Sequence, residues 1–176
     1  YFNKAQIVDK EGQARPLVAK EEKIVVTGKT PADFVSRGIT PMQSASLLLI
    51  LVAGISIYGI RRGKTLWDID LILFLVAGMA GCILAFLALF SQHPAVSPNY
   101  ILFVFHPFHL FCLPFMLSRV RKREISRYML VNFAVLTLFI GLWAIIPQRI
   151  PPAILPLALC LLIRSASNLI LTYKRK

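Results

Sequence analysis

Arg164 lies well inside the last long apolar run of this chain, followed by Ser167 and Asn168 at i+3 and i+4, which share its face of a helix. Ser165 and Thr172 widen that polar strip. An arginine near a bilayer midplane costs about 2.5–3.5 kcal/mol on insertion scales, so such a face must turn into a bundle or a wet cavity. Counted along the apolar runs, no Asp or Glu falls at matching depth to neutralise it. The chemistry this predicts is an anion site for a lipid phosphate or carboxylate. The bland alternative is an arginine satisfied by carbonyls freed at prolines, or one that snorkels outward.

A second constellation precedes and enters the third apolar run. Phe90-Ser91-Gln92-His93-Pro94 leads through Pro98-Asn99 to His106-Pro107-Phe108-His109. Pro107 removes a backbone hydrogen bond and frees a carbonyl one turn earlier, that of Phe103, and Pro114 repeats the effect deeper. Irregular backbone at membrane depth tends to line a cavity, so His93, Asn99, His106 and His109 are expected to converge. An imidazole titrates near neutral pH and suits general acid or base work. As metal ligands, His106 and His109 at i, i+3 would need His93 and still lack a carboxylate or exposed thiol, so no metal or other cofactor is expected. Hydrogen bonds that hold a tight outer loop are the structural alternative. Cys112, three residues from His109, sits too deep in apolar surroundings to act as a nucleophile.

The elements that must position these residues are read from composition. Hydrophobic residues make up 57% of the 176 and charged residues only 16%, against about a quarter in an average soluble protein. That excludes a disordered chain. The apolar residues lie in runs of membrane-spanning length, so an all-α integral membrane protein is expected. Five spans are predicted, at about 42–60, 71–90, 100–118, 128–146 and 153–173. In the second, Ala77, Gly81, Ala85 and Ala88 form a small-residue face that lets a neighbour approach closely. Asp68 and Asp70 open that span and are assigned no chemistry beyond capping or pairing with the adjacent basic loop.

The net charge of +12 invites a nucleic-acid reading, but its distribution argues otherwise. Basic residues cluster at Arg61-Arg62-Gly63-Lys64, between Arg119 and Arg127, and at Lys174-Arg175-Lys176, each directly after an apolar run. This is the positive-inside pattern, which predicts an outside N-terminus and a cytoplasmic C-terminus. Tyr58, Trp67, Tyr128 and Tyr173 then fall at the inner interface, with Tyr100 and Trp143 at the outer one. Cys82, Cys112 and Cys160 each lie inside an apolar run, so no disulfide framework is implied.

Residues 1–40 differ from the rest. Gln6-Ile7-Val8, a turn, then Ala14 to Val18 read as strand, turn, strand, with a further short strand at Lys23 to Val26. These are too few for an independent fold. They are expected to be the strand-rich extracytoplasmic end of a longer polypeptide, joined by a Thr30-Pro31 to Thr40-Pro41 linker to a five-helix domain over 41–176.

The string Phe90-Ser91-x-His93-Pro94, followed by Asn99, Leu102 and the x-Pro107 step, resembles the C-terminal membrane region of the Lnb-type lipoprotein N-acylating family of bacteria. His106 stands where an amide would be expected before that proline. The resemblance implies an extracytoplasmic papain-like Cys/His domain upstream, and residues 1–40 contain neither residue type. No catalytic residue is therefore carried over. What it implies is the membrane half of an inner-membrane acyltransferase. Its partners would be membrane lipids, a diacylglyceryl lipoprotein substrate and the missing domain. His93, Asn99 and His106 would line the outer mouth of a lateral cleft, and Arg164 and Asn168 its interior. The alternative is a non-catalytic membrane anchor or a subunit of a transport or assembly complex.

Overall fold

The computed structural model describes residues 6–8, 12–16, 38–90 and 99–174. The chain divides into two compact units, Tyr1–Gly38 and Ile39–Lys176. In the first, β1 (Gln6–Val8) and β2 (Ala14–Pro16) pair antiparallel, with Ile7 opposite Arg15. The strand expected at Lys23 to Val26 lies outside the described residues, as does most of the linker.

The second unit is helical. Thr40 begins α1 (Pro41–Arg62) with a capping box: its Oγ1 accepts from the Gln43 amide while Gln43 Oε1 accepts from the Thr40 amide. Pro41 occupies the first turn, where its missing N–H is harmless. Gly63 ends the helix at φ 62°, a left-handed conformation that glycine adopts without strain. After three more residues the chain turns into α2 (Trp67–Phe90). The hairpin is tight because Gly59 lacks a Cβ, which would stand 3.0 Å from Leu66 Cδ1 and the Lys64 carbonyl.

The third segment, expected over 100–118 and irregular at its prolines, is broken into several pieces. A 3-10 turn at Tyr100–Phe103 gives way to non-helical backbone, then to the single turn α3 (Phe108–Phe111) and to α4 (Leu113–Arg121). The two halves are bent by 76°. Pro107 and Pro114 account for both interruptions, because neither can donate to the preceding turn. Opposite the break, Gly78 and Gly81 of α2 make room: a Cβ on Gly81 would lie 2.5 Å from the His106 carbonyl carbon, and one on Gly78 2.6 Å from the Leu110 nitrogen. Of the small-residue face read in α2, Ala77 and Gly81 are buried, whereas Ala85 and Ala88 are only half-buried.

The helix α5 (Arg127–Gly141) is capped by Ser126, whose Oγ accepts from the Met129 amide, and ends five residues before the expected boundary, followed by a 3-10 turn at Trp143–Ile145. The last helix, α6 (Ile154–Tyr173), packs against α1 and α5, while α2 packs against the broken third segment. Half of α6's most apolar stretch is buried, against 22% in α1 and α2. That makes it the central helix. Phe74, Met116, Met129 and Leu136 close the core between α2, α4 and α5. Ile50, Ile72, Ile83, Leu89 and Leu138 instead point outward and stay exposed, an apolar exterior that water would not tolerate over such an area.

The basic loops meet at one end of this bundle. Arg123 donates to the Gly63 carbonyl, and the Arg121 guanidinium lies 3.6 Å from the Trp67 ring centroid.

Candidate functional site

Arg164 has an acidic partner after all. Its Nε donates to Asp70 Oδ1 at 2.7 Å and one terminal nitrogen to Asp70 Oδ2 at 3.1 Å, a bidentate pair with side chains 1% and 0% exposed. The same nitrogen reaches the Leu66 carbonyl at 3.3 Å, and the other donates to Ser56 Oγ at 3.0 Å. Asn168 Nδ2 donates to Asp70 Oδ2 at 2.9 Å. Four of the five guanidinium N–H groups are thus engaged by protein atoms. This corrects the expectation that no acid stands level with Arg164: Asp70 takes hydrogen bonds from both Arg164 and Asn168 and ties α2 to α6. The centre joins α1, the α1–α2 turn, α2 and α6. Ser56 and Asp70 each stand seven positions from Gly63, so the hairpin sets both at one depth. Counting each span from its own start hides that relation.

Beside it lies a second polar group on the broken segment. His109, fully buried, places Nε2 2.9 Å from the Val104 carbonyl and Nδ1 2.5 Å from the Tyr128 hydroxyl. A carbonyl only accepts, so Nε2 carries the hydrogen and Nδ1 accepts from Tyr128. His109 therefore bonds backbone that the break leaves open, at Val104 rather than the Phe103 carbonyl expected from Pro107 alone. Phe74 packs edge-on against both rings. His106 stacks on His109 with centroids 3.9 Å apart and planes at 15°. Asn132 of α5 faces the His106 ring and donates to Ser165 Oγ of α6 at 2.9 Å. Yet His106 Nδ1 and Asn132 Oδ1 are buried without a hydrogen-bond partner.

The expected convergence of histidines with the outer loop is met only in part. His106 and His109 come together, but deep in the bundle. Asn99 stands at the start of the third segment, where its Oδ1 accepts from the Ile101 amide at 3.1 Å and caps the 3-10 turn. His93 lies outside the described residues. Among those described, no three His, Cys, Asp or Glu side chains are placed to share a metal ion. Cys82, Cys112 and Cys160 are all free thiols. Asn132 and Ser56 are not singled out in the sequence because each is one polar residue in an apolar run, and Tyr128 reads there only as an inner-interface aromatic, whereas in the structure its hydroxyl bonds His109.

At the end opposite the basic loops, Tyr100 and Phe103 face Val135, Leu138, Phe139, Leu142 and Ile146 of the α5 region across a groove of about 350 Å³. Its lining is wholly hydrophobic or aromatic. The Tyr100 amide donates to Gln148 Oε1 at 2.7 Å, which ties the start of the third segment to the α5–α6 connection.

A helical bundle with its charges neutralised inside and aliphatic side chains outside defines a multi-pass membrane protein. Three helices, α1, α2 and α6, are long and apolar enough to cross alone. The chain belongs to the Lnb transmembrane domain family, a five-helix domain whose model matches residues 33–176, and it is thus the membrane part of an Lnb-type protein. The third segment, bent by 76°, and the shorter apolar helix α5 make up the rest of the bundle. Compared with curated proteins and with solved structures, the chain has no significant match.

Proposed function

We propose that this bundle is the membrane half of a bacterial lipoprotein N-acyltransferase, in which it seats a diacylglyceryl lipoprotein for acyl transfer to the N-terminal amine. The observation that carries the reading, beyond family membership, is the apolar groove between Tyr100 and Leu142. It opens at Tyr100, next to Asn99, at the end away from the basic loops. With those loops cytoplasmic, that end faces the outer leaflet of the inner membrane. Its apolar lining accepts an acyl chain from the bilayer without desolvating a polar group, and close packing, not transfer out of water, holds the chain there. Asn99 Nδ2 and His93 are the polar groups nearest in sequence for the glycerol esters, while His106 stands deeper with its Nδ1 unpartnered. The Cys/His chemistry belongs to an extracytoplasmic domain, whose reacting groups gain from a substrate held still.

The test uses the polypeptide that carries that domain, with a diacylated lipopeptide whose glyceryl esters can supply the acyl group, and mass spectrometry of the peptide. Leu138→Trp, which fills the groove from an exposed position, is expected to raise KM for lipopeptide at least tenfold while the protein remains monodisperse. Unchanged kinetics in Leu138→Trp and in Phe103→Trp would leave the bundle as a non-catalytic anchor.

A further inference from the structure

The end of the bundle that carries the basic loops holds a second cleft. It measures about 1130 Å³ and lies between α4 and the start of α5. Three cations line it, Arg119, Lys122 and Arg127, against the single acid Glu124. Beside them Phe115 and Ile125 add an apolar flank, and both are exposed, Phe115 by 78%.

This composition follows from the bend. The 76° turn at Cys112 swings α4 out of the direction of the third segment, at the level of the other basic loops, which Arg121 and Arg123 contact. Leu113, Met116 and Val120 face the core, leaving Phe115 and Arg119 on the outside. A short helix that is apolar on one side, basic on the other and set at a bundle's charged end fits the boundary between acyl chains and headgroups. A soluble anion would have no use for Phe115 or Ile125. The Arg119–Glu124 ion pair in the cleft, at 2.5 Å, is open to solvent, with side chains 61% and 45% exposed. Such pairs contribute little, and the Arg119 fork retains donors for a phosphate.

We propose that this cleft binds the phosphate headgroup of an anionic phospholipid from the leaflet that the basic loops face, with the lipid's acyl chains against Phe115 and Ile125. The site is independent of the acyl groove, which opens at the other end. Its occupant is a bound lipid and not a substrate.

The experiment is native mass spectrometry of the chain released from nanodiscs of phosphatidylglycerol and phosphatidylcholine. Wild type is expected to retain one phosphatidylglycerol. Arg119→Gln and Arg127→Gln should each lower retention about fivefold, the weight of one basic residue at an anionic surface. Arg61→Gln and Lys64→Gln, which remove charge from the same end outside the cleft, should leave it unchanged. Equal loss in both sets means diffuse adsorption and overturns the site, as does retention of phosphatidylcholine to the same degree. Should the cleft variants not fold, Phe115→Trp gives a second reading. Its fluorescence is expected to be quenched by brominated phosphatidylglycerol at least threefold more than by brominated phosphatidylcholine, and equal quenching refutes the proposal.

Discussion

The two polar centres inside the bundle are neighbours on α6, where Arg164 serves one and Ser165 the other, yet they are built on opposite terms. Around Arg164 the charges cancel and four guanidinium N–H groups have partners. Around His106 two buried polar atoms have none. The first centre is formed by regular helices meeting at a fixed depth, and the second by backbone that two prolines have broken. A charge in this environment must be neutralised or the helix will not stay. An amide or imidazole can be left partly unmatched at a smaller cost. The difference marks the Arg164 centre as scaffold, since its loss leaves a bare charge, whereas the His106 centre tolerates unpaired polar atoms.

The comparison breaks first at Asp70. Asp70→Ala leaves a buried guanidinium without its counter-charge, a loss of about 3–5 kcal/mol, and should abolish the monodisperse peak in detergent size-exclusion chromatography. Combining it with Arg164→Met is expected to restore that peak, since replacing both charges by apolar groups is often neutral. If the double variant fares no better than Asp70→Ala alone, the centre is not a pair.

Next in size is Gly81→Ala, whose methyl must displace the His106 backbone and not merely a side chain. About 1–3 kcal/mol of destabilisation is expected, read as a lower thermal midpoint. Gly54→Ala in α1, where nothing lies within 4 Å, should be neutral or slightly stabilising. His109→Phe keeps the ring and removes both hydrogen bonds, leaving the Val104 carbonyl and the Tyr128 hydroxyl unpaired at about 1–3 kcal/mol.

The smallest effect sharpens the contrast most. His106→Phe deletes an imidazole whose Nδ1 has no partner, so the thermal midpoint should move by no more than about 0.5 kcal/mol in equivalent stability, in either direction. Acyl transfer by the longer polypeptide is nevertheless expected to fall. A midpoint loss as large as that of His109→Phe would make His106 another scaffold residue.

Much of the fold was legible because long apolar runs dominate their surroundings. α1, α2 and α6 lie within a few residues of the spans expected, α2 starting four residues early to take in Asp70. The third segment was less so: Pro107 and Pro114 announce an irregular helix, but a 76° bend also depends on two glycines in another element. α5 ends at Gly141 because the chain closes with a 3-10 turn, which hydropathy does not register. The candidate site was the least legible part. Arg164 was recognised as exceptional, and its partner was passed over because Asp70 sits near the start of its own run. Depth is a property of the hairpin, measured from Gly63. Asn132 carries no signal of its own, and Tyr128 only that of an interfacial aromatic, until the broken segment brings the histidines to them.

The Arg164–Asp70 bond spans 94 positions of sequence, which has a consequence for how the chain is made. A membrane protein emerges from its N-terminus, so Asp70 enters the bilayer long before its partner is synthesised. During that interval α1 and α2 carry an unneutralised acid, with only the Ser56 hydroxyl at its level. The last helix completes the bundle and at the same moment discharges it. Chains that stop short of α6 therefore leave the Asp70 carboxyl without the guanidinium that pairs with it.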